Sequence, residues 1–360
     1  MRILHVNNIL HMGGVLRHMR DHAECARQRG HTVWLAGYAP PGHAMHDDAS
    51  FVHLPLYTTS GRKSMHGALR AALRLRAMVL RERIDVVHLH SRYTTLIAAL
   101  AGAQRHTAVM YTVHNVFADA TWLRWYPRHV IAPSETLRRS FQSNAQYAER
   151  SIVTVLPYGI PRDTAPVAPR SADAPFLFLG RLEPNKRPEL ALEALALLRA
   201  EGRTEADLNI VGSGELEGAL HARRDALGLA QCCHLRGYSA QPGDWIRSAR
   251  ALLLTSDSLE AMPYVILEAM AMGTVVIAAD MPQIRELIEH GRNGVLFRPG
   301  DAGALAAAMR RVLDNAEEAR DFALRAREDV RVRHELGKVV DRTLALYADA
   351  IRERGISDPG

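Results

Sequence analysis

Two carboxylates stand eight residues apart in the run Glu260-Ala-Met-Pro-Tyr-Val-Ile-Leu-Glu268. Pro263 suits the first turn of a helix. That predicts a loop carrying Glu260 and a helix carrying Glu268 about one and a half turns inside it. Backbone groups from Met262 through Pro263 and Tyr264 to Val265 would then face one space. Unpaired N–H groups at a helix start offer an anion both donors and the positive end of a dipole. A carboxylate on either side would accept hydroxyls. A sugar joined to a nucleoside by a diphosphate needs those groups in that order. The plain alternative is two solvated glutamates, since charged residues are mostly exposed.

A second set is Gly180-Arg181-Leu182-Glu183-Pro184-Asn185-Lys186. Arg181 can face a diphosphate with its planar fork and Lys186 as a point charge. Only Lys63, Lys186 and Lys338 are lysine among 45 basic residues, which favours a purpose for Lys186 over a solvated surface role. Gly212 and Gly214 follow a strand pattern and open a helix, but a bare GxG can serve the turn alone. Gly13 and Gly14 sit between the first strand and the first helix, where glycine lets backbone approach a phosphate. His114, in Thr112-Val113-His114-Asn115, ends another strand; a core or surface histidine is the alternative in a chain with 18 of them. No DxD, GxSxG or HExxH occurs. The expected site therefore has no metal, and Arg181, Lys186 and the helix dipole must neutralise a leaving group.

These residues need a scaffold. Short apolar strands alternate with amphipathic helices along nearly the whole chain, which reads as α/β with parallel, doubly wound sheets. Strands are expected at Arg2–Asn7, Thr32–Ala36, Asp85–Leu89, Ala108–Val113, Val130–Ala132 and Val153–Leu156. Five prolines between Pro157 and Pro175 forbid a continuing helix or central strand. The alternation then restarts at Phe176–Leu179 and gives way after Glu317 to helix alone. The expected organisation is a first domain over 1–160, a linker over 161–175, a second domain over 176–338 and a final helix and tail over 339–360. Ligands of such sheets bind beyond the carboxyl ends of the strands, so a cleft between the domains is the expected site.

Composition narrows the class further. At 360 residues, 48% hydrophobic and 23% charged, the chain exceeds one core's useful size. No run approaches a membrane span, and Met1–Val6 is too short an apolar run for a signal peptide. Three cysteines without a CxxC pattern predict neither a disulfide framework nor zinc, so a reduced, cytoplasmic protein is expected.

Taken together, these residues resemble the family 4 retaining glycosyltransferases of bacterial surface-polysaccharide type, which have the GT-B fold. Gly13-Gly14, Arg29–Val33, Asp85–His88 and Pro157-Tyr158-Gly159 are similar to the family's first domain. Gly180–Lys186, Gly212–Leu216, Glu260, Glu268 and Ala271-Met272-Gly273 are similar to its second. The resemblance implies two Rossmann-like domains facing a cleft, with the last helix crossing back to the first. Arg181 and Lys186 would bind the donor diphosphate, and Glu268 the ribose hydroxyls. Glu260 would hold the transferred sugar, with backbone at Met262–Val265 touching sugar and phosphate. Gly14, with Gly13, would approach the distal phosphate, and His114 would contact the sugar near the reacting carbon. No cofactor is implied beyond a nucleotide-diphosphate sugar as co-substrate, with a UDP-sugar the expected donor. The chain departs from the family pattern at Leu16, Tyr158 and Ala261.

The charge bears on the acceptor. Residues 1–165 hold 20 basic and 10 acidic side chains, and the remainder 25 and 29. The basic half is the one expected to receive the acceptor, a lipid-linked or oligosaccharide molecule. Arg70, Arg74 and Arg81 share one helical face, with Arg62, Lys63, Arg76 and Arg83 nearby. That face fits an anionic membrane surface and a peripheral enzyme; an ordinary solvated arginine face is the alternative. Trp122, Trp125 and Tyr126 suit either a lip for the acceptor or packing beneath a loop. No nucleic-acid module is present. Two other functions stay open: a GT-B epimerase or phosphorylase, and a nucleotide-sugar-binding protein without turnover.

Overall fold

The computed structural model describes residues 1–10, 13–56, 64–115, 125–143, 150–167, 170–171, 173–257 and 262–357. Two units divide the chain, one formed by Met1–Pro161 with Glu335–Gly360 and the other by Arg162–His334.

The first unit holds a parallel sheet of seven strands: β1 (Arg2–Ile9), β2 (Thr32–Tyr38), β3 (Phe51–His53), β4 (Val86–Leu89), β5 (Ala108–Thr112), β6 (His129–Ala132) and β7 (Ile152–Val155). Their order is β3-β2-β1-β4-β5-β6-β7. Every residue of β4 and β5 is buried, as expected of strands covered by helices on both faces. The second unit repeats the pattern with β8 (Phe176–Leu179), β9 (Leu208–Val211), β10 (Cys233–Gly237), β11 (Ala251–Leu254), β12 (Val275–Ala279) and β13 (Val295–Phe297), in the order β10-β9-β8-β11-β12-β13. Both are doubly wound α/β sheets, as the alternation predicts.

Some differences from the sequence reading have physical reasons. The prolines of 161–175 do not make a free linker, because most of this segment is pinned to the second unit. Arg170 donates to the Gly273 carbonyl at 3.0 Å and to Thr274 Oγ1 at 2.8 Å. Asp163 pairs with Arg247, and its carbonyl accepts from Arg327. The helical tail also breaks, at His334, into Ala316–Arg333 and Leu336–Ser357. The last helix begins before residue 339. Its Val339, Val340, Leu344, Tyr347 and Ala350 enter the core of the first unit, against the helix Gly14–Gln28 and the sheet. Arg29 Nε donates to Asp341 Oδ1 at 2.6 Å on the rim. Among the described residues no helix is long and apolar enough to cross a membrane.

Candidate functional site

In a doubly wound sheet the crevice opens where the strand order reverses. In the second unit that point lies between β8 and β11. Gly180–Lys186 follows β8, and Thr255–Asp257 follows β11. Two contacts tie these loops. Thr255 Oγ1 donates to the Lys186 carbonyl at 2.7 Å, and Arg187 Nη1 donates to Asp257 Oδ2 at 2.6 Å. Arg187 also pairs with Glu189 and has φ 49°, a left-handed backbone that costs a non-glycine residue free energy. Two carboxylates hold it there. Their hydrogen bonds raise the Arg187 pKa above its ordinary value. Lys186 closes the short 3-10 turn Pro184–Lys186 and is half-buried, whereas Arg181 is exposed and pairs with Glu183.

The helix expected from Pro263 is Tyr264–Ala271, with Pro263 as its N-cap rather than its first residue. In its first turn the Ile266 N–H donates to the Pro263 carbonyl at 3.1 Å, while the N–H groups of Tyr264 and Val265 precede any helical acceptor. Met262, Pro263, Tyr264 and Glu268 are buried, and Val265 is half-buried. Glu268 keeps 8% exposure on a helix otherwise spent on the core. Glu260 and Ala261 lie outside the described residues. Gly212 and Gly214 do open a turn after β9, for a reason that sequence leaves undecided. A Cβ on Gly212 would stand 1.8 Å from the Gly180 carbonyl oxygen, and one on Gly214 2.4 Å from that of Leu182. Leu182 N–H donates to the Ser213 carbonyl, and Leu216 N–H donates to the Leu182 carbonyl, each at 3.0 Å. These glycines let the two loops interlock, so their first task is to shape the crevice.

In the first unit the helix Gly14–Gln28 starts at Gly13, which has φ 95°, with open space where a Cβ would be. No side chain caps this end and no acidic residue occupies its first turn. His114 is placed differently from the expectation of a sugar contact. It is 7% exposed, and both ring nitrogens are hydrogen-bonded, Nε2 to His90 Nδ1 at 2.9 Å and Nδ1 to the Tyr158 hydroxyl. As placed, His114 can bond a sugar only by giving up one partner.

Sequence reasoning missed what surrounds it. His5, His18, His22, His88, His90 and His114 are all buried together. His5 Nδ1 meets His90 Nε2 at 2.9 Å, while His88 meets Tyr347 Oη at 2.6 Å and Thr112 Oγ1 at 2.7 Å. The signal was available: His88 and His90 are two apart at the carboxyl end of β4, and His18 and His22 four apart on a helix, each pair facing one way. Burial, reinforced by neighbouring histidines, pushes the pKa of His5, His88, His90 and His114 well below the ordinary value. Burial alone takes His18 down to about 4. Nitrogens of His5, His88 and His90 lie within 4.8 Å of one another, which suggests a metal centre. The donor set does not fit one as it stands. All four nitrogens of His88 and His90 already have partners, and none of the six residues brings the carboxylate that would offset a buried dication.

The helix Met65–Arg81 carries the predicted arginine face and something more. Met65, Leu69, Leu73 and Leu80 are exposed, and their helical angles place them in one stripe beside Arg70, Arg74 and Arg81. A cavity of about 310 Å³ between this helix and β3 is lined by Phe51, His53, Arg74 and Arg81 among others. Arg62, Lys63 and Trp122 lie outside the described residues. Tyr126 packs edge-on against Phe141, with ring centroids 5.4 Å apart, as a packing aromatic does.

Residues 12–164 match the family model described as Glycosyltransferase Family 4, and residues 161–329 the one described as Glycosyl transferases group 1. A phosphatidyl-myo-inositol mannosyltransferase of Mycobacterium leprae is 27% identical over 357 residues, covering 93% of this chain and 92% of that protein. A D-inositol 3-phosphate glycosyltransferase of Thermobispora bispora is 27% identical over 324 residues, covering 77% and 75%. Among solved structures, Anabaena HepE in complex with UDP and glucose superposes with a TM-score of 0.81 at 19% identity, covering 97% of this chain and 100% of that one.

Proposed function

This chain belongs to glycosyltransferase family 4, of GT-B fold, and from that premise we propose that it moves a sugar, with retention, from a nucleoside-diphosphate sugar to a lipid-linked or glycan acceptor. The observation that carries the reading is the junction of the loops after β8 and β11. There the loop that carries the exposed Arg181 and the half-buried Lys186 is tied to the loop after β11, at the strand-order reversal of one sheet.

Lys186 and Arg181 supply charge where the leaving diphosphate becomes more negative, which is where preorganised donors help most. Glu268 accepts the ribose hydroxyls, and Glu260 takes hydroxyls of the transferred sugar. The bond between the sugar's anomeric carbon and the phosphate oxygen breaks with its electron pair going to phosphate. The acceptor oxygen attacks on the same face, and its proton passes to that phosphate. The residues proposed here include no nucleophile, and this route needs none. A UDP-sugar is the proposed donor; Anabaena HepE, of similar fold, has been solved with UDP and glucose. No metal is assigned a role.

The proposed acceptor is membrane-borne, in surface-polysaccharide assembly. The exposed stripe of Met65, Leu69 and Leu73 beside an arginine row supports an interfacial helix, and relatives are named for phosphatidyl-myo-inositol. Thermal shift with UDP-, GDP- and ADP-sugars tests the donor, one class being expected to stabilise the protein. If none does, the reading fails. Lys186→Ala should lower turnover on the order of 100-fold, measured as sugar transfer or donor hydrolysis.

A further inference from the structure

We infer that the tautomer of His114 is set by a row of imidazoles running from His5 through His90 to His114 and Tyr158, with His90 as the positioning residue. The functional half of this inference rests on the sugar transfer proposed above; its structural half does not.

The argument starts from atom pairing. His5 Nδ1 faces His90 Nε2 at 2.9 Å, and His90 Nδ1 faces His114 Nε2 at 2.9 Å. A neutral imidazole has one donor and one acceptor nitrogen. Each link must join an N–H to a lone pair, so a proton on Nδ1 of one ring demands the same of the next. The three rings therefore share one tautomer, all Nδ1–H or all Nε2–H. A single ring in the opposite form would set two N–H groups, or two lone pairs, against each other.

The ends of the row choose between the two forms. His5 Nε2 is buried without a hydrogen-bond partner among the described residues. Orphaned buried N–H groups are rarer than under-used acceptors, which favours the lone pair at His5 Nε2 and the proton on Nδ1 throughout. His114 Nδ1–H then donates to the Tyr158 hydroxyl. His88 stands outside the row, fixed between Tyr347 and Thr112. Burial keeps the rings neutral, as the alternation requires. A sugar oxygen that took the place of the Tyr158 hydroxyl would meet a preset N–H donor, its direction fixed two rings away. The second nitrogen's partner commonly decides what a functional histidine offers.

The full-length protein with isotopically labelled histidine, examined by two-bond proton–nitrogen NMR correlation, tests the row directly. His5, His90 and His114 are expected as Nδ1–H tautomers. Unlike tautomers among the three, or Nε2–H throughout, overturn the inference. His90→Phe keeps a ring in place but removes both links. It should leave His114 in the Nδ1–H form, since its Nε2 would then be the orphaned atom, but free the ring to turn and lower kcat roughly 10- to 100-fold, as loss of an orienting partner does, with donor KM changed less than about threefold. His90→Gln, with one donor and one acceptor, should restore part of the rate. An Nε2–H His114 in His90→Phe overturns the rule that sets the row, and an unchanged kcat overturns the positioning role. Should His90→Phe not fold, His5→Phe leaves the His90–His114 link intact and must keep both rings Nδ1–H. If the wild type transfers no sugar at all, the transferase reading falls while the spectra still decide the row.

Discussion

A hydrogen bond or a clash at one atom decides several roles that residue type alone leaves open. Gly212 is the simplest case, since a Cβ there would overlap the Gly180 carbonyl oxygen at 1.8 Å. Gly212→Ala should cost the second unit about 3 kcal/mol or more, seen as a lower urea midpoint, and lose donor binding only through that damage. The histidine cluster gives a prediction with a sign. Five of its pKa values lie well below 6.5 when folded and His18 falls to about 4. Below about pH 6.5 the unfolded chain therefore binds more protons than the folded one. Stability is expected to be full above that pH and to fall as pH drops towards 4. Melting curves at stepped pH check this. His22 has both ring nitrogens buried without hydrogen-bond partners among the described residues, so His22→Leu should raise the neutral-pH Tm and make the acid slope shallower. Sequence suggested which residues sit at strand ends. It could not show that His114 spends both nitrogens inside the protein, because that depends on partners 24 and 44 residues away.

Strands were the most legible elements, since runs such as Ala251–Leu254 and Val275–Ala279 are buried along their whole length and read as continuous apolar text. The helix Arg92–Leu100 escaped notice because Thr, Ile and Tyr have modest helix propensity. Its capping box also pairs Ser91 with Thr94 where Glu or Gln is usual. The edge strand β3 is three half-buried residues and leaves almost no period. The helix Met65–Arg81 was legible as a basic face, yet its apolar stripe emerged only when burial showed that Leu69 and Leu73 stay outside, 54% and 61% exposed. The proposed membrane affinity would then have two sources, and they separate by experiment. Flotation with anionic vesicles should weaken with salt through Arg70 and Arg74. Leu69→Glu with Leu73→Glu should abolish what remains at high salt. Binding to neither anionic nor zwitterionic vesicles would leave the stripe without this role.

At the scale of the molecule, charge follows the units. Residues 1–161 and 335–360 carry 23 basic and 14 acidic side chains, against 22 and 25 in 162–334. The asymmetry read from sequence persists when the boundaries move, because the segment reassigned to the second unit is nearly neutral. The division also shows what the linker reading left out. Proline density reports what a segment cannot form, and not that Arg170 and Asp163 anchor it. Both chain crossings leave the first unit side by side: Ile160 bridges Glu335, and Leu336 N–H donates to the Ile160 carbonyl at 3.1 Å. A chain stopped after His334 should thus keep a folded second unit and a first unit with a gap where Tyr347 and Val340 belong. Limited proteolysis should cut that truncated first unit while sparing 162–334. The same arrangement sets an order during synthesis. The first unit emerges from the ribosome earliest yet cannot close its core until residues near 350 appear, whereas the second has all its chain by residue 334. The part made first is the part completed last, and until then its exposed helix and sheet faces depend on whatever shelters a nascent chain.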